Sequence, residues 1–462
     1  MLKSIFKKIH VVANMLVFAI AVYVYFYKSR EMPTGYHLDS VTDVFNALCI
    51  RLSGADEYGT FLPWYFRAFN DYRPPLIIYA FALSDFIYPL TLYSSRIISM
   101  FMGATAIFAA VFFIYRSKEF PKFRFPLAYP LMTLFLLVSS WMLLPHRIPI
   151  EFAGVCFVMM GFIATGWWLI EKPESKARGF GHALFWASLL YMYYGSKSLY
   201  FIWFPFPFIF IHLKGIPFSL KRCQGLFVAV LVAIALGIPT FDDLLHAQKT
   251  LQRFQVVKAL EPVGVVTRYF QHMGPDFLFF QGDGNSRHHT QYKGELNQFF
   301  LPCYLLGFAA ALLQIIRRRN FFWAYIASVF AISYAPAALT NEGIPHSIRT
   351  LMAVIPVVFV CFLGYSEIEK WIYSGKKRNI KLLLLSALFL FGIKESYANL
   401  YQYHVVQVPN DHYIWSYFDG QYKPPETKLP YDNREFEPVM ERYYRFVYEN
   451  EHKYCDRELN PK

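Results

Sequence analysis

The stretch LDSVTDVFNALCIRLSGADEYGTFLPWYFRAFNDYRPPL, residues 38–76, carries five acidic residues, three arginines and a Pro-Pro pair. It follows VVANMLVFAIAVYVYFY, residues 11–27, an apolar run long enough for a helix that nearly spans a bilayer. A charged loop directly behind such a helix indicates polar side chains held at a membrane surface. The rest of the sequence predicts on which side of the membrane this loop lies.

The composition is that of a membrane protein. Of the 462 residues, 56% are hydrophobic, 20% are aromatic and only 17% are charged, whereas soluble domains keep about a quarter of their residues charged. The formal net charge is +13, but Lys and Arg cluster in short runs between apolar segments, as expected for cytoplasmic loops. We therefore predict no nucleic-acid partner. The six cysteines show no paired spacing, so neither a zinc site nor a disulfide framework is indicated.

The apolar runs predict an all-α polytopic membrane protein with about 11 transmembrane helices. The runs fall at residues 10–27, 97–115, 126–144, 150–170, 180–194, 199–212, 223–241, 299–316, 321–339, 348–366 and 380–398. Two short runs flank Gly195, which indicates broken or tilted helices. The apolar stretch 75–90 is predicted to be a juxtamembrane or re-entrant helix that begins at Pro74 and Pro75, because proline suits a first helical turn.

With a cytoplasmic N-terminus, all the basic loops come out on the cytoplasmic side, as the positive-inside rule requires. These loops lie near residues 116–124, 171–180, 213–222, 317–320 and 374–381. We therefore predict a multi-pass protein of the inner (plasma) membrane whose active site and C-terminus are periplasmic or extracellular. Residues 1–398 would form one membrane domain with a catalytic face made by outer loops 28–96 and 242–298, and residues 399–462 a small outer tail.

The acidic residues of the first outer loop are candidates for general-base chemistry. Asp39 and Asp43 are four residues apart and would share one face of a helix, and Asp56 and Glu57 follow. A carboxylate at the edge of a low-dielectric slab has a raised proton affinity, which suits a base that takes a proton from a hydroxyl. The alternative is that these acids only cap helices and solvate the loop.

The first outer loop contains DEYGTFLPWYFRAFNDYRPPLIIY (56–79), and SSRIISMFMG (94–103) follows it. Further motifs come later in the chain: SSWMLLPHRIPIEFAG (139–154), YMYYGSKSLYFIWFP (191–205), GPDFLFFQGDGNSRHH (274–289) and EGIPHSIRTL (342–351). In their order these motifs resemble those of the bacterial GT-C glycosyltransferases related to protein mannosyltransferases and the lipid A aminoarabinose transferase. The resemblance extends from residue 38 to 366 and implies a GT-C fold whose first outer loop carries juxtamembrane helices.

The resemblance also implies an activity. Enzymes of this family take a hexose or pentose from a polyprenyl-phosphate carrier, with inversion at the anomeric carbon. Their catalytic base is the first acid of a D-E pair in the first outer loop, a place that Asp39 occupies here. The second acid is replaced by Ser40. Asp43 would then have to take the role of that acid, or the enzyme would act on a different acceptor. Glu151 matches the acid of the family's F-E position.

A departing phosphate needs cations, and arginine binds phosphate through its planar fork. Arg73 matches the position at which aminoarabinose transferases carry a lysine that meets the carrier phosphate. Other candidates for that task on the outer side are Arg349, His346 and Arg147, and candidates for contacts with substrate in the loops are Asp56, Glu57, Asp283, Arg287 and His288. The alternative for each arginine is neutralisation of lipid phosphate at the headgroup level.

No cofactor is certain from the sequence, and a divalent metal is the one candidate. His288 and His289 with Asp283 and Asp276 are ordinary ligands for such an ion. Their spacing fits no closed site, and adjacent histidines in a loop point apart.

The leading hypothesis is an inverting glycosyltransferase that moves a sugar from a polyprenyl-phosphate donor to a hydroxyl on a glycolipid, a surface glycan or a protein. Membrane lipids are its other partners. The alternatives are a flippase or transporter of lipid-linked sugars, or a ligase. A transporter would place ionisable residues along a path near mid-membrane, whereas here nearly all charge lies in loops. A ligase usually carries its decisive chemistry in a late outer loop.

Overall fold

The computed structural model describes residues 2–33, 35–68, 71–246, 257–374 and 378–408, with side chains described throughout except in residues 2–10 and at Asp71. Within these ranges the chain is mostly helical, so the predicted all-α class is confirmed. One small hairpin lies in the segment that the sequence predicts to be the first outer loop. Its strands β1 (Phe66–Ala68) and β2 (Asp71–Arg73) are antiparallel, with Phe66 opposite Arg73. Most of the predicted tail, residues 409–462, lies outside the described ranges.

The helices of the first half follow in chain order. They are α1 (Leu2–Phe26), α2 (Leu38–Ser53), α3 (Pro75–Ser84), α4 (Leu92–Arg116), α5 (Ala128–Leu137), α6 (Ser140–Leu143), α7 (Val155–Glu171), α8 (Lys176–Met192), α9 (Ser196–Trp203), α10 (Phe206–Leu213) and α11 (Gln224–His246). Two 3₁₀ turns, Pro145–Arg147 and Glu151–Gly154, connect α6 to α7.

The second half continues the bundle. Its helices are α12 (Pro262–Met273), α13 (Phe300–Arg318), α14 (Phe321–Ser333), α15 (Ala335–Ala338), α16 (Val354–Tyr373) and α17 (Arg378–Tyr401). A 3₁₀ turn (Ile348–Ala353) leads into α16, and π-helical turns occur at Asp276–Phe280 and Gln402–Gln407.

Helix lies at each of the eleven apolar runs that the sequence predicts to span the membrane. Among the described residues, six helices are long and apolar enough to cross, and a bent pair, Ala128–Leu137 with Ser140–Arg147, makes up to seven. The multi-pass character is therefore confirmed. The remaining runs form helices that are shorter, broken or more highly charged. The run around Gly195 is broken as expected, since α9 follows that glycine and Pro205 precedes α10.

The first outer segment carries two short helices beside the bundle. Pro74 is extended (φ −61°, ψ 138°) and Pro75 opens α3, which has only 10 residues and is too short to span. Helix α2 ends at Gly54, whose φ of 72° lies in the left-handed region that glycine adopts without a Cβ clash. The predicted juxtamembrane helices are therefore present.

The basic loops gather at one end of the bundle. The backbone N–H groups of Arg124 and Phe125 donate to the Glu369 carboxylate near the end of α16, both at 2.7 Å. Asn320, between α13 and α14, donates to Glu119 at 2.9 Å. Successive spans cross a membrane in alternating directions, which assigns these loops to the same side. The structure shows that they are in contact.

One cysteine differs from the expectation drawn from the sequence. Cys49 on α2 is disulfide-bonded, whereas the spacing of the cysteines indicates no disulfide. Spacing failed here because a disulfide requires only that two Cβ atoms meet in space. The free cysteines of the described ranges are all buried: Cys156, Cys223, Cys303 and Cys361.

Candidate active site

Arg73 stands at the centre of a cluster of carboxyl groups. Its backbone is held at the end of β2, directly before the Pro74-Pro75 start of α3. One terminal nitrogen, Nη2, forms an ion pair with Asp39, and the other, Nη1, donates to Oε2 of Glu151 at 3.2 Å. The side chain is nearly buried, and its Nε–H has no acceptor in the described ranges. The hairpin and the proline pair therefore direct a guanidinium between two separate segments of the chain.

Asp39 lies in the first turn of α2, where an acid complements the helix dipole. The side chain of the N-cap residue, His37, accepts a hydrogen bond from the Asp39 backbone N–H at 3.3 Å. Burial alone would raise the pKa of Asp39, but the nearby Arg73 and His37 outweigh it and hold that pKa well below its ordinary value. The side chain remains 30% exposed. Asp39 is therefore an ionised carboxylate that a substrate can reach.

Asp43 lies one turn further along α2, on the predicted common face. It is fully buried, and no side chain in the described ranges forms a hydrogen bond with its carboxyl group. Burial raises its pKa well above the ordinary value, and the charges of Glu151 and Asp39 add to this rise against the opposing effect of Arg73. Asp43 therefore holds a proton at a pH at which Asp39 does not. Ser40, which replaces the family's second acid, is also fully buried.

Glu151 comes from a different part of the chain. It opens the 3₁₀ turn that leads into α7, and only 6% of its side chain is exposed. The site therefore joins α2, the hairpin and the start of α7. It brings together three carboxyl groups and one guanidinium, and Arg73 is shared by two of them.

Lys197 is a neighbour that the sequence analysis did not single out. It lies in the first turn of α9 and is buried, with its Nζ 4.8 Å from the ring centroid of Tyr65 and 4.9 Å from that of Tyr194. Tyr194 is also close enough to Arg73 to influence the pKa of the arginine. The sequence feature that could have indicated Lys197 is a lysine inside a segment rich in aromatic residues, next to the helix break at Gly195. Cation–π contacts of this kind hold a positive charge at a desolvated position.

Asp56 and Glu57 brace the first outer loop. Oδ1 of Asp56 accepts the backbone N–H groups of Tyr58 at 3.0 Å and Thr60 at 2.7 Å. Glu57 accepts from the side chain of Asn46 on α2 at 2.9 Å, and its own N–H donates back to Asn46 at 3.1 Å. These contacts tie the loop to α2 and are separate from those of Arg73.

Arg147 contacts the end of α1. It is fully buried, and its guanidinium donates to the backbone carbonyls of Tyr25 at 2.7 Å, Tyr27 at 2.9 Å and Met32 at 3.2 Å. These carbonyls lie at a helix C-terminus and beyond it, where such groups lack partners within the helix. Arg349 is likewise engaged, with Glu342 at 2.6 Å and with Thr340. Neither arginine contacts the carboxyl groups around Arg73.

A second cluster forms between the long outer loop and the segment before α16. Oδ2 of Asp283 lies 3.3 Å from Nδ1 of His288 and 3.8 Å from Nδ1 of His346. The two imidazole rings are stacked, with centroids 4.7 Å apart. The ligand atoms of the three residues all lie within 4.8 Å of one another. The structure thus joins His346 to two of the four residues that the sequence suggests for a metal.

The other two residues of that suggestion lie apart from this cluster. Nδ1 of His289 accepts the backbone N–H of Gln291, and its Nε2 is directed towards Gly282. Asp276 opens the π-helical turn and does not belong to the metal-ligand group. Arg287 directly precedes His288 in the chain, and its backbone N–H donates to Oδ1 of Asn285.

No protein-family model matches the sequence, and no curated protein matches it either. Solved structures do match the fold. The archaeal oligosaccharyltransferase AglB from Archaeoglobus fulgidus, in complex with an inhibitory peptide and a dolichol-phosphate, aligns with a TM-score of 0.51 and 10% identity over 91% of this chain. The oligosaccharyltransferase from the same organism in the apo form gives a TM-score of 0.52 at 12% identity over 91% of this chain.

The chain spans 61% and 62% of the length of these two oligosaccharyltransferase chains. ArnT from Cupriavidus metallidurans bound to undecaprenyl phosphate aligns over 93% of this chain and 84% of its own length, with 11% identity and a TM-score of 0.49. At such low identities a structural match shows the fold alone. The two oligosaccharyltransferase matches, with TM-scores of 0.51 and 0.52, confirm the GT-C fold that the sequence motifs predict.

Proposed function

We propose that this chain, which shares the GT-C fold, is an inverting glycosyltransferase that transfers a hexose or pentose from a polyprenyl-phosphate carrier to a hydroxyl group. The observation that carries the proposal is the position of Arg73 between Asp39 and Glu151. This reaction requires a cation for the departing phosphate and a carboxylate for the attacking hydroxyl, and Arg73 and Asp39 supply both groups in one site.

Arg73 binds the phosphate of the carrier. Its Nε–H is buried without an acceptor in the described part of the chain, and its two terminal nitrogens already contact carboxylates. A phosphate presents several strong acceptor oxygens and can compete for these donors. Lys197, buried beside Tyr194, would add a second positive charge near the same position.

Asp39 acts as the general base. In the unliganded protein the ion pair with Arg73 holds its pKa low, which makes it a weak base. When the carrier phosphate engages Arg73, that stabilisation of the Asp39 carboxylate weakens and its proton affinity rises. Donor binding thereby activates the base, and water is not deprotonated in the absence of donor.

The bonds and charges balance in one displacement. The acceptor oxygen attacks the anomeric carbon while its proton moves to Asp39, and the bond between that carbon and the phosphate oxygen breaks. Polyprenyl phosphate leaves as an anion against Arg73, and Asp39 returns its proton to solvent. Glu151 and Asp43 position Arg73. Because Asp43 is neutral, these two residues together place one negative charge beside the guanidinium instead of two.

In this proposal the reaction takes place on the outer face of the membrane. Asp39, Arg73 and Glu151 lie in segments that the charge distribution assigns to that side. The polyprenyl-phosphate sugar and membrane lipids are its partners, and the acceptor is a glycolipid, a surface glycan or a protein.

The test is release of sugar from radiolabelled polyprenyl-phosphate donors by the purified protein in lipid. Asp39→Asn should lower turnover by about a hundredfold or more, the scale of general-base catalysis. Arg73→Gln should weaken donor binding and lower turnover. Asp242→Asn is the matched control, because Asp242 has a 71% exposed side chain on α11, where it pairs with His246 of the same helix.

Turnover by the wild type that survives Asp39→Asn unchanged would remove Asp39 as the base. The flippase alternative would be favoured if the protein binds donor but transfers no sugar to any acceptor, and if labelled donor moves between the leaflets of a vesicle. Transfer of whole lipid-linked glycans in place of single sugars would favour the ligase.

A further inference from the structure

We propose that Asp283, His288 and His346 bind a divalent metal ion of the zinc type, at a site separate from the Arg73 cluster. The inference does not rest on the proposed transferase activity. It rests on three ligand atoms from two segments of the chain that converge at the separations a metal would require.

The separations between the ligand atoms fit a tetrahedral ion. Zinc lies about 2.0–2.2 Å from imidazole nitrogen and carboxylate oxygen, so two of its ligands are roughly 3.3 Å apart. The Asp283 carboxylate oxygen and Nδ1 of His288 are 3.3 Å apart, and the same oxygen and Nδ1 of His346 are 3.8 Å apart. The third separation, between the two imidazole nitrogens, lies within 4.8 Å, so movement of the rings towards a common centre would place the three ligand atoms at three corners of a tetrahedron.

The carboxylate is already oriented. Oδ1 of Asp283 accepts the backbone N–H of Asn285 at 2.8 Å, and Oδ2 accepts that of Ser347 at 2.9 Å. The backbone N–H of His346 donates to Nε2 of His272 at 3.0 Å, which fixes the segment that carries this ligand. Such supporting contacts orient metal ligands and raise affinity.

The direction of the histidine rings is explained by a shared ion. Nδ1 of His346 is buried and has no hydrogen-bond partner in the described ranges, although it faces a carboxylate oxygen 3.8 Å away. A metal bound to both rings and to the carboxylate would give Nδ1 of His346 the partner that it lacks in the described ranges.

The ligand set selects the class of ion. Two imidazoles and one carboxylate suit zinc and its first-row neighbours, whereas calcium and magnesium prefer oxygen. Three protein ligands leave a fourth position for water or another small ligand, and the side chains of His288 and His346 are 16% and 12% exposed. The ion would cross-link the long outer loop to the segment before α16.

The test measures metal directly. The full-length protein in lipid nanodiscs is stripped with a chelator, equilibrated with Zn²⁺, and assayed for bound zinc by mass spectrometry and for Kd by competition with a dye. We expect about one zinc per chain. His288→Gln and His346→Gln should each weaken binding by tenfold or more. His246→Gln is the matched control, because His246 also pairs with an aspartate but on an exposed helix end.

A second measurement keeps the proposal falsifiable if a variant does not fold. Co²⁺ added to the stripped wild type should give the intense visible absorption of a four-coordinate site, and Zn²⁺ should abolish it. Zinc binding that is equal in the wild type, His288→Gln and His346→Gln would overturn the proposal. So would a wild type that binds neither ion. Loss of binding in His246→Gln alone would assign the ion to the exposed pair and overturn it as well.

Discussion

Asp39 and Asp43 show how two residues of one type acquire different chemistry four positions apart on one helix. Asp39 is partly exposed and paired with Arg73, which stabilises its charged form. Asp43 is fully buried beside two other carboxyl groups, which stabilises its neutral form. Their opposite pKa shifts have opposite effects on stability as the pH changes.

The pH dependence of Tm in two isosteric variants tests this contrast. The lowered pKa of Asp39 contributes stability that is full above the ordinary carboxyl pKa of about 4 and is lost as the pH falls. Asp39→Asn should therefore cost roughly 1 to 2 kcal/mol at pH 7, allowing for solvent screening at this partly exposed site, and less in acid. The raised pKa of Asp43 contributes stability in acid that is lost as the pH rises from about 4 towards the raised value.

Asp43→Asn should consequently gain in Tm relative to the wild type as the pH increases from 4 to 8. Thermal unfolding of both variants and the wild type over that range is the measurement. A Tm difference for Asp43→Asn that falls with rising pH would show that Asp43 is ionised in the folded protein.

At the scale of elements, α13 and α16 pack closely because glycines face each other's backbone. A Cβ on Gly307 would lie 1.9 Å from the carbonyl oxygen of Val360, and one on Gly364 would lie 1.7 Å from that of Cys303. Small residues at such positions let membrane helices approach. The 3₁₀ turn before α16 and the segment that carries His346 therefore depend on this helix pair for their position.

Gly364→Ala should separate α13 from α16 and destabilise the protein by roughly 1 to 3 kcal/mol, the cost of overpacking a well-packed contact. Gly181→Ala on α8 is the matched control, because a Cβ there meets nothing within 4 Å. Alanine is favoured over glycine in a helix by up to about 1 kcal/mol, so the control should be unchanged or more stable. Equal Tm values for the two variants would refute the close contact.

At the scale of the whole molecule, the contacts sort the loops into two ends. Glu369 holds the backbone of residues 124 and 125 at the end where the basic loops gather. Arg147 holds the end of α1 near the segments that carry Asp39 and Glu151. The positive-inside rule assigns the first end to the cytoplasm, and the proposed active site then faces outward.

Labelling of single introduced cysteines in intact cells tests this orientation. Gln281→Cys lies at an exposed position of the long outer loop, and Lys118→Cys at an exposed position between α4 and α5. A membrane-impermeant maleimide should label Gln281→Cys in intact cells and Lys118→Cys only after permeabilisation. The reverse pattern would place the Arg73 cluster on the cytoplasmic side. The buried free cysteines keep the background low.

The helices and their order follow from local patterns in the sequence. Apolar length, proline at a first turn and the break near Gly195 are local properties, and each recurs in the structure as a helix, a helix start or a break. The motifs also identified the fold, because they occur in the family's order. These signals survive in a single sequence since they depend on neighbouring residues and on the solvent that surrounds them.

Only the tertiary structure decided which side chains meet. Arg73 and Arg147 both lie in segments that the sequence predicts to be on the outer side, but one reaches two carboxylates and the other three backbone carbonyls. His346 joins Asp283 from 63 residues away, and adjacent His289 does not. Such partners depend on how distant segments pack, and the energy of a charged group depends on the burial and charges that packing creates. The spacing of residues along the sequence contains neither the contact partners nor the burial of a side chain.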